Sequence, residues 1–191
     1  ISACLVGSEM CIRDSFKLIN PLNQEVTMNN IRTLTLDDLA SYKTLLSGEH
    51  HTYSWDRYYL DHVSDDALTK ILSSETSHIN VFGAFEDDVL VATATLRQSK
   101  YVGKQHKAII LNNFVKDNDE VINRELINYI IHYADQKNLE TILTSVTSSN
   151  ISAKVFFSSL GFENLGFEKN ASKIGDEYFD EHWLSYDLRN S

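Results

Sequence analysis

The sequence predicts an α/β domain, layered in the α+β manner, with a mixed, mostly antiparallel central sheet and helices on both faces. Three observations point to it. Three β-branched segments, residues 79–85, 89–96 and 107–115, follow one another across polar connections, which is the pattern of a meander. Residues 120–137 then place Ile122, Leu126, Tyr129, Ile130 and Tyr133 on one helical face. That helix leads into a nearly continuous apolar and Thr run at 141–146, as expected of a strand covered on both sides. Strands and helices that interleave in this way form layers around one sheet.

Each element has its own signal. Residues 31–34 read as a short strand. Thr35 offers a hydroxyl to the orphan amides of a following helix, and Asp37 and Asp38 suit its positive end. Leu36, Leu39, Tyr42, Leu45 and Leu46 recur at helical spacing until Gly48. Residues 49–78 read as a loop followed by a helix with Leu68, Ile71 and Leu72 as its stripe. Ile79, Val81 and Phe85 alternate in the first meander strand, and Glu86, Asp87 and Asp88 turn the chain. Val89, Val91, Thr93 and Thr95 share a face of the second strand. In the third, Ile109 and Leu111 oppose Ala108 and Ile110. Asp117 and Glu120 have the spacing of a capping box for the long helix. Residues 150–160 form a last helix, closed by Gly161, and residues 162–167 and 178–188 are the final strands.

Composition narrows the function. The 191 residues carry 17 Lys+Arg against 27 Asp+Glu, a formal net charge of −10. That balance argues against nucleic acid or an anionic membrane as the partner and suits a cationic or amine-bearing one. Hydrophobic content of 42% is enough for a folded core. No stretch reaches the ~18 apolar residues of a membrane span. The two cysteines, Cys4 and Cys11, cannot build a disulfide framework or a Cys-rich zinc site. His50 and His51 lack a third ligand, so no metal is expected.

Both cysteines and Pro21 lie before residue 28. Residues 1–15 resemble a translated sequencing-adapter read-through, and Gln24 to Thr27 can be back-translated as a ribosome-binding purine run before a start codon. Residues 1–27 are therefore expected to be a non-native or disordered extension, and residues 28–191 a single domain starting at Met28.

Asn150, Ala153, Phe156, Phe157, Gly161 and Phe162 stand at the spacing N-x-x-A-x-x-(F/L)-Y-x-x-x-G-F. Ala171, Lys173, Gly175, Tyr178 and Asp180, continuing to Leu184 and Leu188, have the look of a closing hairpin. On these residues the chain resembles the GNAT N-acetyltransferase superfamily from about Asn30 to Leu188. The resemblance implies a sheet in which the fourth strand, residues 107–115, bulges and splays away from the fifth, residues 141–146. It implies that acetyl-CoA enters the gap and pairs with the backbone at Phe114 and Val115 like a missing strand. It also implies that Asn150 holds the cofactor arm; as a helix N-cap, Asn150 needs no ligand, and the two roles are compatible.

The same resemblance places the cofactor against Ile122, Asn123, Arg124 and Phe157. Here the sequence departs from the family. The pyrophosphate loop R/Q-x-x-G-x-G/A has no glycine in this chain, and its glycine positions fall near Val121 and Asn123. Asp117, Asp119 and Glu120 add negative charge, with Lys116 and Arg124 as local cations, so the loop is degenerate. Phe157 falls where the family often has a Tyr that protonates the leaving thiolate, and Phe has no proton to give. Asp180 and His182 are the candidate catalytic bases, with Glu177 and His106 also titratable, and Tyr53, Trp55 and Tyr178 the candidate acceptor-site residues. The expected function is transfer of an acetyl group from acetyl-CoA to a primary amine of a small molecule or peptide in the cytoplasm. The alternative is a catalytically impaired binding or interaction protein of the same fold. A homodimer is compatible with either.

Overall fold

The structure, a computed structural model of the 191-residue chain, describes residues 31–48, 50–54, 64–73 and 78–190. Its elements run β1 (Ile31–Thr33), α1 (Leu39–Ser47), β2 (His50–Ser54), α2 (Asp65–Leu72), β3 (Ile79–Glu86), β4 (Val89–Gln98), β5 (Lys107–Lys116), α3 (Glu120–Gln136), β6 (Thr141–Thr147), α4 (Ile151–Ser159), β7 (Glu163–Ile174) and β8 (Glu177–Asp187). A 3-10 turn at Leu36–Asp38 precedes α1. The expected boundary at Met28 and the candidate acceptor-site residue Trp55 lie outside the described residues.

The sheet has eight strands in the order β1-β3-β4-β5-β6-β8-β7, with β2 added against β5. β5 and β6 pair in parallel, and the other pairs are antiparallel. Parallel neighbours need a crossover, and α3 supplies it. Alternation along β3 separates two cores: Phe82 joins Leu126, Ile127 and Ile130 of α3, while Val81 joins Leu34, Tyr42 and Leu45 beside α1 and Leu68 and Leu72 of α2. The sheet is thus covered on both faces, as the sequence predicts.

Three local expectations need correction. Residues 50–54, read as loop, form β2. Its His-His-Thr start has no apolar alternation, and its partners are backbone groups that no side-chain pattern reports. Leu36 is exposed rather than facing the core, because it sits in the 3-10 turn and not in α1. The long helix is capped by Asp119, not Asp117, which has φ +54 and lies in the turn before it.

Asp87 and Asp88 close the β3–β4 hairpin with φ of +47° and +64°. A two-residue hairpin with both residues left-handed favours Gly second, where the missing Cβ removes the steric cost. Asp88→Gly is expected to raise stability by roughly 0.5–1 kcal/mol. Thermal unfolding checks it, at ~2–4 °C per kcal/mol for a chain of this size. An unchanged or lower midpoint contradicts it.

Candidate functional site

β5 and β6 pair only from Lys107↔Thr141 to Ile110↔Thr144. Beyond that point the two strands part. The cause lies in β5. Thr95 opposes Leu111 and Thr93 opposes Phe114, so Asn112 and Asn113 together face Ala94. This two-against-one count is a β-bulge, with Asn112 at φ +53°, which Asn tolerates better than most residues. The bulge turns the outer half of β5 away from β6 and forks the sheet.

A buried amide pair fixes the bulge to α3. Asn113 Nδ2 donates to Asn123 Oδ1 at 2.7 Å, and Asn123 Nδ2 donates back to Asn113 Oδ1 at 3.1 Å. Asn113 Nδ2 also donates to Thr93 O at 3.2 Å. Both amides are wholly buried. The Asn-Asn step inside an otherwise apolar strand is the sequence signal that could have placed the bulge.

The fork is filled by β2. His51 lies opposite Val115 and Thr52 opposite Phe114, antiparallel, on the edge of β5 that β6 has left. At the vertex, Ser54 Oγ lies 3.2 Å from Ile110 O and 3.1 Å from Ser145 O, its one proton shared between strands that no longer pair. Thr144 Oγ1 donates to Ser54 Oγ at 2.9 Å. Asn150 caps α4, its Oδ1 accepting from the Ala153 N–H at 3.1 Å, while its Nδ2 donates to Thr52 O at 2.8 Å. Tyr53 is buried against Phe156, ring centroids 4.6 Å apart, and its hydroxyl donates to Asn118 Oδ1 at 3.1 Å. Burial first, and then the charges of Glu120 and Asp119, push the Tyr53 phenol up to about 12. It therefore remains a donor at neutral pH.

At the start of α3, the Asp119 carboxylate accepts from the Val121 N–H at 2.9 Å and the Ile122 N–H at 3.1 Å. These are amides that would face an anion at a helix N-terminus. Glu125 is half-buried behind them, its carboxyl raised by burial and then by Asp119 and Glu86. Ile122 packs in the core and the Asn123 side chain is turned inward to Asn113, so neither presents a side chain to a phosphate. Helical periodicity puts both on the buried face. Arg124 donates to Ser159 Oγ at 2.9 Å and lies over the Phe156 ring.

Phe114, Val115 and Phe157 are fully buried, Phe157 between the rings of Phe156 and Phe162. His182 opposes Val146, at the end of β6 that has separated from β5. Its ring lies against Phe167 in a tilted contact, centroids 5.1 Å apart, with Lys154 Nζ 3.5 Å from its Nδ1. Asp180 Oδ1 accepts from the Asn170 N–H at 2.8 Å, where β7 bulges, so it has a structural task there. Tyr178 is exposed near the hairpin tip, its ring beneath Lys173. The structure thus gathers Tyr53, Phe114, Val115 and Asn150 at the fork, and leaves Tyr178 apart. Among the described residues, no three His, Cys, Asp or Glu side chains gather to hold a metal ion, and no helix is long and apolar enough to cross a membrane.

Comparison with known proteins agrees with this geometry. Residues 31–183 match the family model of the acetyltransferase (GNAT) domain. A probable acetyltransferase from Staphylococcus epidermidis ATCC 12228 is 65% identical, with 83% of this chain and 98% of that chain covered and a TM-score of 0.78. An N-acetyltransferase from Staphylococcus aureus Mu50 is 49% identical, with 84% and 97% covered and a TM-score of 0.70. A Salmonella typhimurium protein solved with its cofactor acetyl-CoA shares the fold at 16% identity, with 83% and 92% covered and a TM-score of 0.68. No curated protein matches the chain. A bulged strand forking from its parallel neighbour, an Asn-capped helix at the mouth, and a family match over most of the length lead to one conclusion: the chain belongs to the GNAT acetyltransferase family.

Proposed function

We propose that the protein is an N-acetyltransferase that moves an acetyl group from acetyl-CoA to a primary amine of a small molecule or peptide. The observation that supports it most is the edge of β5 beyond the bulge. It already holds an extended chain, β2, in antiparallel register. A pantetheine arm carries amides that pair with such an edge in the same manner. Asn150 Nδ2, at the mouth, is the matching side-chain donor.

The nucleotide end fits less well. The first amides of α3 are bonded to Asp119, and its carboxylate opposes a phosphate. The arm is therefore the main source of affinity in this reading. Bound acetyl-CoA supplies an acetyl group activated as a thioester. The chain's part is to hold the arm along β5, orient the amine, and accept its proton. Asp180 and His182 are the proposed proton acceptors, directly or through water. Phe157 gives no proton to the departing thiolate, so a water or another residue supplies it, or the step forgoes the ~10²–10⁴-fold help a general acid brings. Tyr53 and Tyr178 are the proposed aromatic contacts for the acceptor. The net charge of −10 favours a cationic acceptor, and the use of acetyl-CoA suits a cytoplasmic setting.

The Asp119 cap, the Phe at 157 and the filled fork favour a second reading, a protein that binds acetyl-CoA with little or no turnover. Calorimetric titration of the full chain with acetyl-CoA tests what the two readings share. Saturable binding at one site per chain is expected. No binding at millimolar ligand, by the wild-type chain or by a Tyr53→Ala variant, contradicts both.

A further inference from the structure

We propose that β2 is a displaceable strand: it closes the fork in the free protein and must leave before an acetyl-CoA arm can pair with β5. The inference rests on the acetyl-CoA reading above. Its basis is that one set of groups serves one occupant at a time. The β5 edge at Asn113, Phe114, Val115 and Lys116 pairs with β2. Asn150 Nδ2 donates to Thr52 O. Ser54 bridges Ile110 O and Ser145 O at the vertex. These polar groups of the fork are in use by residues 50–54.

The exchange is physically balanced. β2 has five residues and pairs on one side with β5. A ligand with its own amides restores part of that pairing with β5, so the net loss of hydrogen bonding is reduced. Beyond that pairing, β2 is held by Ser54 at the vertex, by the Asn150 bond to Thr52 O, and by Tyr53, whose large buried side chain packs against Phe156 and bonds Asn118. Asn118 lies in the turn leading to α3, so the closed strand also ties the fork to the phosphate side. A ligand that binds only the vacated form has its affinity reduced by the fraction of molecules vacated. The strand therefore acts as a gate whose strength is set in large part by Tyr53.

Two measurements on the full chain test the gate. The first is amide hydrogen exchange of the wild-type protein with and without saturating acetyl-CoA. Residues 50–54 are expected to exchange at least tenfold faster in its presence, while residues 113–116 stay protected by the incoming arm. The second is calorimetry of Tyr53→Ala, which removes the anchor and is expected to bind acetyl-CoA about tenfold more tightly than wild type. Binding to the variant alone also supports the gate. Acetyl-CoA binding by wild type with unchanged protection at 50–54 overturns the gate and leaves the acetyl-CoA reading standing. Absence of binding to both proteins overturns the gate together with that reading.

Discussion

Asn123→Ala is expected to be among the most damaging single changes at the site, lowering stability by about 2–4 kcal/mol. The reason is asymmetry. Asn123 and Asn113 satisfy each other by two hydrogen bonds in a wholly buried setting. Removing one partner leaves the Asn113 carbonyl oxygen desolvated and unmatched, at a cost of ~1–3 kcal/mol, and the missing side chain adds a small cavity. For a chain of this size the unfolding midpoint should fall by roughly 2–4 °C per kcal/mol. Replacing both residues by Ala removes the two side-chain amides together, leaving only Thr93 O without its Asn113 donor. The double variant should be more stable than the two single losses sum to, with a coupling of ~0.5–3 kcal/mol. Additive losses would show that the pair does not act as a unit and that the bulge is held by other contacts.

Asp119→Ala is expected to raise affinity for acetyl-CoA about tenfold while leaving affinity for acetyl-pantetheine nearly unchanged. The carboxylate now bonded to the Val121 and Ile122 amides competes with a phosphate and repels it. Its removal frees two donors at the positive end of α3. The helix loses its N-cap, so stability should drop by ~0.5–2 kcal/mol. Asp119→Asn keeps an acceptor for the cap while removing the charge, and should give a smaller gain. The gain should shrink with added salt, because screening weakens phosphate contacts at an exposed helix end. An equal rise for both ligands would place the effect in the fork, not at the phosphates.

Much of this architecture is written in local patterns. The apolar stripe of α3, the Asn150 cap and the Gly161 stop need only neighbours in sequence. Gly161 has φ +94, which a Cβ would strain. The cover on both sides of β6 was likewise visible as an apolar run. The fork and the bulge that makes it are both implied by the family resemblance, and the structure adds the place of the bulge, at Asn112 and Asn113. Both β2 and the inward turn of Asn123 escaped for a shared reason. Their partners are distant: Thr52 O meets Asn150 ninety-eight residues away, and Asn123 meets Asn113 across a helix–strand interface. Backbone pairing and buried amide pairs leave no periodicity for a sequence reader to count. Asp180 was legible as a polar hairpin residue, and its bond to the Asn170 amide was not, because the β7 bulge that exposes that amide has no apolar signature.

The most direct test of acetyl transfer in the fork is release of free CoA from acetyl-CoA by the full chain, followed with a thiol reagent across a panel of primary amines. The panel should contain polyamines, aminoglycosides and peptides with free N-termini. Release that depends on one class of amine, saturates with it, and is accompanied by an acetylated product is the predicted result. Saturable acetyl-CoA binding with no amine-dependent release at any pH from 6 to 9 would contradict transfer and leave a binding protein of the same fold.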